Sequence, residues 1–228
     1  MSPKKSSTAG TAPRPTKRAY DSTRRRRQAE QTRAEVLGAA IELFNERGWA
    51  ETTLADVAAA AGVAVETIYS RFRSKKQLVR DAMDAAIVGD AEPLAFAERE
   101  PFLRLGEGTR AERLQAGMDI LADVHGRSAG VWRALGEAAA GDAELEAWMR
   151  EGDDRRRLDI VRSLERIFER SVTGPMVDVI WVLYGPETYW KLVHDAGYSR
   201  ARYQATLSEA TLRLLGEPVD EAKPRRRR

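Results

Sequence analysis

The 228-residue sequence predicts an all-α protein in two helical parts, a small one towards the N-terminus and a larger one after it. Three observations carry this expectation. Between residues 28 and 215 apolar side chains recur at the helical period of about 3.6 residues, and strand-like alternation is lacking. Glycines stand just past the apolar stripes, at Gly48, Gly62 and Gly216, where a helix closes in a left-handed turn. The chain is long enough to bury a core without disulfide or metal staples, and it has no cysteine with which to make one.

The elements follow in order. Residues 1 to about 23 are rich in Ser, Thr, Pro and Lys with almost nothing to bury, which predicts a disordered basic arm over 1–25. A first helix is expected from about Arg26 to Arg47 on the stripe Leu37, Ala40, Ile41, Phe44. Thr53 and Asp56 then form a capping box and open a short second helix that stops at Gly62. In the third, Ala64 is the cap, Val63 and Ile68 are the hydrophobic staple, and Ile68 and Phe72 point inward. Glu66, Thr67, Ser70 and Arg71 are left on the outer side. Ser74 with Gln77 restarts a helix that Leu78, Met83 and Ile87 continue. Residues 53–72 thus read helix, glycine turn, helix, the pattern of a helix-turn-helix within a unit spanning 26–88.

The helical pattern resumes at Thr109. Leu114, Met118, Leu121 and His125 share one stripe, and Val131, Trp132 and Leu135 the next. A long segment after Gly141 carries Leu145, Trp148 and Met149, then Val161, Leu164, Ile167 and Phe168. Between them Gly152–Arg157 is too polar for core and is expected to be a bend or a solvent-bridging turn. Met176–Tyr184 is apolar on nearly every side, which predicts burial from more than one direction. A last stripe, Tyr203, Leu207, Ala210 and Leu214, ends at Gly216, and a basic tail is expected over 217–228.

Charge is unevenly placed. Residues 1–27 hold nine bases against one acid, the last six residues hold five bases, and residues 81–222 carry ten net negative charges. Basic ends on an acidic body suit a protein that meets a polyanion at one end, the alternative being solvated, solubilising tails. No apolar run approaches the roughly 18–20 residues a membrane span needs; Val179–Pro186 stops at eight. The N-terminus lacks the apolar stretch of a secretory signal, and with the absent cysteines this suits a cytoplasmic protein. Two histidines and no cysteine leave no metal cage, no cofactor fingerprint precedes a helix, and no nucleophile motif is present, so an enzyme is not expected.

The stretch Val36–Met83 closely resembles the DNA-binding domain of the TetR family of transcriptional regulators. The resemblance rests on A-x-x-L-F-x-x-x-G from Ala40 to Gly48, T-T-x-x-x-[IV]-A-x-x-A-G-V from Thr52 to Val63, and T-[IL]-Y-x-x-F-x-S-K from Thr67 to Lys75. It implies that the Val65–Phe72 helix enters the major groove, with Val65, Glu66, Thr67, Ser70 and Arg71 towards base edges or nearby backbone. Thr53, Tyr69 and Lys75 would contact phosphate, and Lys75 at a helix N-terminus makes a suitable anion seat. Two departures stand out: Ala64 replaces the usual Ser or Thr, and Glu66 puts an acid on the reading face. Arg24, Arg25, Arg26 and Arg27 abut the first helix and, as in some relatives, would lie along the duplex; a solvated charge run is the alternative.

The resemblance further implies that residues 89–216 bind an effector and dimerise. Trp132, Trp148, Phe168, Trp181 and Tyr184, with Met118 and Met149, are candidates to line an apolar effector cavity, or else ordinary core. His125 is a candidate of the same kind. Tyr189, Leu192, Tyr203, Leu207, Ala210 and Leu214 are candidates for a homodimer interface, since reading two half-sites takes two copies. The expected function is that of a ligand-responsive repressor on a palindromic operator. An architectural DNA binder without effector, and an activator, are the alternatives.

Overall fold

The computed structural model describes residues 17–89 and 99–219, with side chains from Arg24 onward. Among the described residues every regular element is helical. In chain order these are α1 (Lys17–Arg47), α2 (Leu54–Ala60), α3 (Val65–Phe72), α4 (Lys75–Val88), α5 (Glu100–Leu103), α6 (Arg110–Ala139), α7 (Ala143–Phe168), α8 (Pro175–Leu183), α9 (Pro186–Tyr189) and α10 (Arg200–Leu214). A 3₁₀ turn follows α5, and α9 runs on as a π-helical turn over Trp190–Asp195.

Local chemistry sets most of these boundaries. Gly48 takes φ 73° after α1, and the Thr53–Asp56 capping box opens α2 with both reciprocal bonds made. Ala64 caps α3 with no side-chain bond. At α4 only half of the expected box forms: the Ser74 hydroxyl accepts from the Gln77 N–H, but the Gln77 side chain turns to Asp81 instead. Thr109 and Glu112 make a complete capping box at α6.

Four expectations need correction. Helix α1 begins at Lys17, not near Arg26, so residues 17–25 of the expected disordered arm are helical. Five of the nine residues Lys17–Arg25 are lysine, arginine or alanine, good helix formers, and just beyond them Arg26 pairs with Glu30 one turn on at 2.9 Å; the rest of that arm, 1–16, lies outside the described residues. Gly152–Arg157 is no bend but the middle of α7. It is polar because Arg156 turns across to the end of α8, donating to the Trp181 and Tyr184 carbonyls and to Asp153. Helix α8 is buried on one side only, through Val177 and Ile180, while Met176, Val179 and Val182 stay exposed. The expected C-terminal tail also starts later than 217, because Glu217 accepts from Arg110 and Arg170; residues 220–228 lie outside the described part.

The core forms two clusters, and α6 belongs to both. Its C-terminal half (Val131, Trp132, Ala134, Leu135) packs with α1–α4, whereas its N-terminal half (Leu114, Met118, Ala122) packs with α7, α8 and α10. The boundary read at residue 88 is therefore a boundary in sequence without being one in the core. Where α1 crosses α6, the Asn45 amide donates to the Arg127 carbonyl and accepts from the Val131 N–H, at 2.9 and 3.0 Å. This approach needs Gly130: a Cβ there would lie 2.6 Å from the Asn45 Cα and 2.5 Å from its Oδ1. Gly130→Ala should raise helix propensity by about 1 kcal/mol. Overpacking against main chain costs ~1–3 kcal/mol, so a net fall in melting temperature is expected. An unchanged or higher melting point would show the crossing is not this tight.

Candidate nucleic-acid interface and cavity

Helix α3 is anchored by Ile68 and Phe72, both fully buried, and its other side faces outward. Glu66, Ser70 and Arg71 are exposed, Val65 and Thr67 half-buried, and Tyr69 is 56% exposed. The Ser70 hydroxyl donates to the Thr67 carbonyl, and Arg71 reaches across to the Ala29 carbonyl of α1 at 3.1 Å. A shallow groove between α1 and α3 is lined by Arg25, Gln28 and Thr32 on one side and Ala64, Thr67 and Arg71 on the other. Of the basic run Arg24–Arg27, exposed throughout, Arg25 stands in this groove beside α3.

Two of the residues considered for phosphate are already engaged. The exposed Thr53 exchanges hydrogen bonds with Asp56 as part of its cap. Lys75 donates to the Trp49 carbonyl and lies over the Trp49 ring, 4.0 Å from its centroid. Burial pushes its ammonium below the usual lysine range, against the opposing pull of Glu137 and Asp56. Trp49 in turn donates its N–H to Glu137 of α6 at 3.0 Å, so Lys75 belongs to a tie between the small helical unit and α6. Tyr69 keeps its hydroxyl end in the open.

A cavity of about 700 Å³ lies among α4, α6 and α7. Of the eight residues proposed from the sequence to line one, Met118, His125, Trp132, Trp148 and Tyr184 do so. Met149 packs instead against the α1–α4 cluster, and Phe168 and Trp181 sit in the α7–α10 cluster, Trp181 beneath the Arg156 guanidinium. Periodicity placed these three on apolar faces without telling which neighbour each face meets. Sequence reasoning missed the cavity's polar wall. Asp153, in the run expected to be a bend or a solvent-bridging turn, lines it with Asp84, Asp159, Arg155, Arg156 and Arg162. The Asp84 carboxyl is raised from the usual range, first by desolvation and then by Asp81, and desolvation raises Asp159 likewise. His125 is fully buried, with Nδ1 3.4 Å from the Tyr203 hydroxyl, and desolvation lowers its pKa to about 3, so it is neutral.

The residues proposed for a dimer interface fare differently. Tyr203 and Leu207 are fully buried within one chain, on the inner face of α10, and have no surface to offer a second copy. Tyr189 is half-buried against Tyr203, with ring centroids 5.0 Å apart, and Leu192 and Leu214 pack partly on the same cluster; Ala210 is half-buried. The stripe was apolar because this chain covers it.

Residues 36–82 match the family model for bacterial regulatory proteins of the tetR family. Over this segment the chain is similar to the tetR family of bacterial regulatory proteins. The HTH-type transcriptional regulator TtgR of Pseudomonas putida is 44% identical over 62 residues, and AcrR of Shigella flexneri 38% over 53. These alignments cover 27% and 23% of this chain and 30% and 25% of theirs, so the curated relatives match over less than a third of their own length. Two solved structures share the fold over most of the chain. A TetR-like transcriptional regulator from Rhodococcus sp. RHA1 covers 81% of this chain and 95% of its own, with TM-score 0.53 and 20% identity. A second regulator from that organism covers 80% and 95%, with TM-score 0.56 and 17% identity.

The α1–α4 unit is joined to the rest by residues that no motif marked. Arg127 of α6 donates to the Ala86 and Ile87 carbonyls at the end of α4. Lys76 pairs with Asp142 and Glu144, and Arg80 with Glu144, linking α4 to the start of α7. No local pattern could have disclosed these pairs, whose partners lie 40 to 68 positions apart. Among the described residues no cluster of three metal-ligating side chains forms, and no helix is long and apolar enough to cross a membrane.

Proposed function

We propose that this protein is a transcriptional repressor that binds a palindromic operator as a homodimer and is released by a small apolar or aromatic effector. One observation carries the reading: α4 serves both parts. Near its N-terminal end it carries Lys75, tied to Trp49 within the α1–α4 unit, and it packs on the buried face of α1. Towards its other end Met83, Asp84, Ile87 and Val88 form one wall of the cavity. A ligand that fits the cavity better with α4 displaced would draw α3 away from its setting on DNA, by its differential affinity for the two arrangements and no more. Homodimer formation is supported by the exposed apolar residues Met176, Val179 and Val182 on α8, which take the place of the α10 stripe as the candidate surface.

Selection of bound duplexes from a random pool tests the DNA half of this reading. The expected product is an inverted repeat with half-site centres one helical turn apart, about 34–36 Å, or a multiple of it. Enrichment of no motif would point to architectural binding and sink the repressor reading. With the operator in hand, loss of the complex on adding apolar aromatic compounds, together with quenching of Trp132 or Trp148, tests the effector half.

A further inference from the structure

The cavity has a gradient of polarity that bears on what it holds. Its charged lining residues lie towards solvent: Asp84, Arg155 and Arg162 are exposed, and Asp153, Arg156 and Asp159 half-buried. They also cancel. Arg156 holds Asp153 at 2.8 Å, Arg162 holds Asp159 at 3.4 Å, and Arg155 acts on both Asp84 and Asp159. A charged ligand group would find no uncompensated counter-charge there. The buried part of the lining is mostly apolar, Leu105, Met118 and Leu164 among it, and includes His125, Ser128 and Tyr184.

One fully buried polar side-chain atom of the lining has no hydrogen-bond partner. The Tyr184 hydroxyl is taken by Thr211 at 2.7 Å, and His125 Nδ1 faces the Tyr203 hydroxyl. Ser128 is 1% exposed, lines the cavity, and its Oγ has no hydrogen-bond partner. A helical serine ordinarily returns its hydroxyl to the carbonyl four residues back, which this one does not do. A buried hydroxyl left unpaired is costly, and a site holding one discriminates in favour of a molecule that pairs it.

We infer that the cavity takes an uncharged, largely apolar ligand carrying one hydroxyl or carbonyl oxygen, and that this oxygen pairs with Ser128. The inference rests on the proposal that the cavity is a ligand site. Its volume of about 700 Å³ suits a molecule of two or more rings or a comparable aliphatic body.

Calorimetric titration of the full-length protein with three probes of one shape tests it: biphenyl, 4-phenylphenol and 4-phenylbenzoate. An apolar pocket without a polar partner favours biphenyl, since the phenol must shed water without return. The expected order is the phenol tightest, by about five-fold or more over biphenyl, with the carboxylate weakest. In Ser128→Ala the phenol should fall to the level of biphenyl, biphenyl itself should be unchanged, and the unliganded melting temperature should not drop. A phenol preference that survives Ser128→Ala, or a carboxylate that binds tightest, would overturn the inference. Equal binding of biphenyl and phenol to the wild type would also overturn it, while leaving the cavity as a ligand site. Absence of binding by all three would remove the ligand site and this inference with it.

Discussion

Replacement of Arg24–Arg27 by alanine is expected to weaken binding to every duplex and to flatten its dependence on salt. The four side chains are exposed, and Arg25 lines one groove with Arg71 of α3. Each phosphate that loses its cation removes ~0.9 from the slope of log K against log salt, so the slope should shallow by up to about 3–4 per protomer. Stability should scarcely move, because the Arg26–Glu30 pair is an exposed helical pair of the kind worth little. Substitution is a better test than truncation, since α1 is already helical at Lys17 and cutting it would alter the helix as well. The slope measured by fluorescence anisotropy from low to moderate salt decides: if it is the same in wild type and variant, the run is a solubilising charge and no part of the interface.

The second large effect concerns pH. His125 is fully buried beside Tyr203, and its pKa, pushed down to about 3 by desolvation, lies well below the ~6.5 of an exposed imidazole. Between those two values the unfolded chain binds a proton that the folded chain does not. Stability from this residue is therefore complete above about pH 6.5 and is lost as pH falls towards 3, with a limiting slope of about 1.4 kcal/mol per pH unit. Carboxylates titrate in the same range, so the comparison is with His125→Gln, which keeps them and removes the imidazole. Urea unfolding from pH 7.5 to 5 should show wild type losing stability faster than the variant, by roughly 2 kcal/mol over the window. Imidazole NMR gives a second reading, in which the His125 ring stays neutral down to pH 5. A His125 ring that takes up its proton near pH 6.5 would refute the assignment.

How far the sequence reaches can be judged from particular residues. Thr53 with Asp56, and Gly48, announced helix ends correctly because a cap is a contact between residues three or four apart. Ile68 and Phe72 were legible as the inner side of α3 for a similar reason, one turn being enough to define a face. Lys75 shows the first kind of failure. Its position at a helix start suggested a free anion seat, and only the folded chain brings Trp49 beneath it and Glu137 behind Trp49. The α10 stripe shows another. Tyr203 and Leu207 were rightly read as belonging to a buried face, but periodicity is silent on whether the cover is the same chain or a copy. Gly152–Arg157 failed because a polar run in a helix was taken for a bend, when Arg156 was bridging to the carbonyls of α8.

What the sequence determined alone was the all-helical class, the helix-turn-helix with its outward residues, and the basic run before it. These are properties of short range, fixed by caps, turns and one-turn periodicity. The tertiary structure decided which residues meet across the chain: Asn45 against Gly130, the cavity among α4, α6 and α7, and the unpaired hydroxyl of Ser128 inside it. Such contacts depend on how whole helices cross, and crossings are set by the summed packing of many side chains rather than by any local pattern.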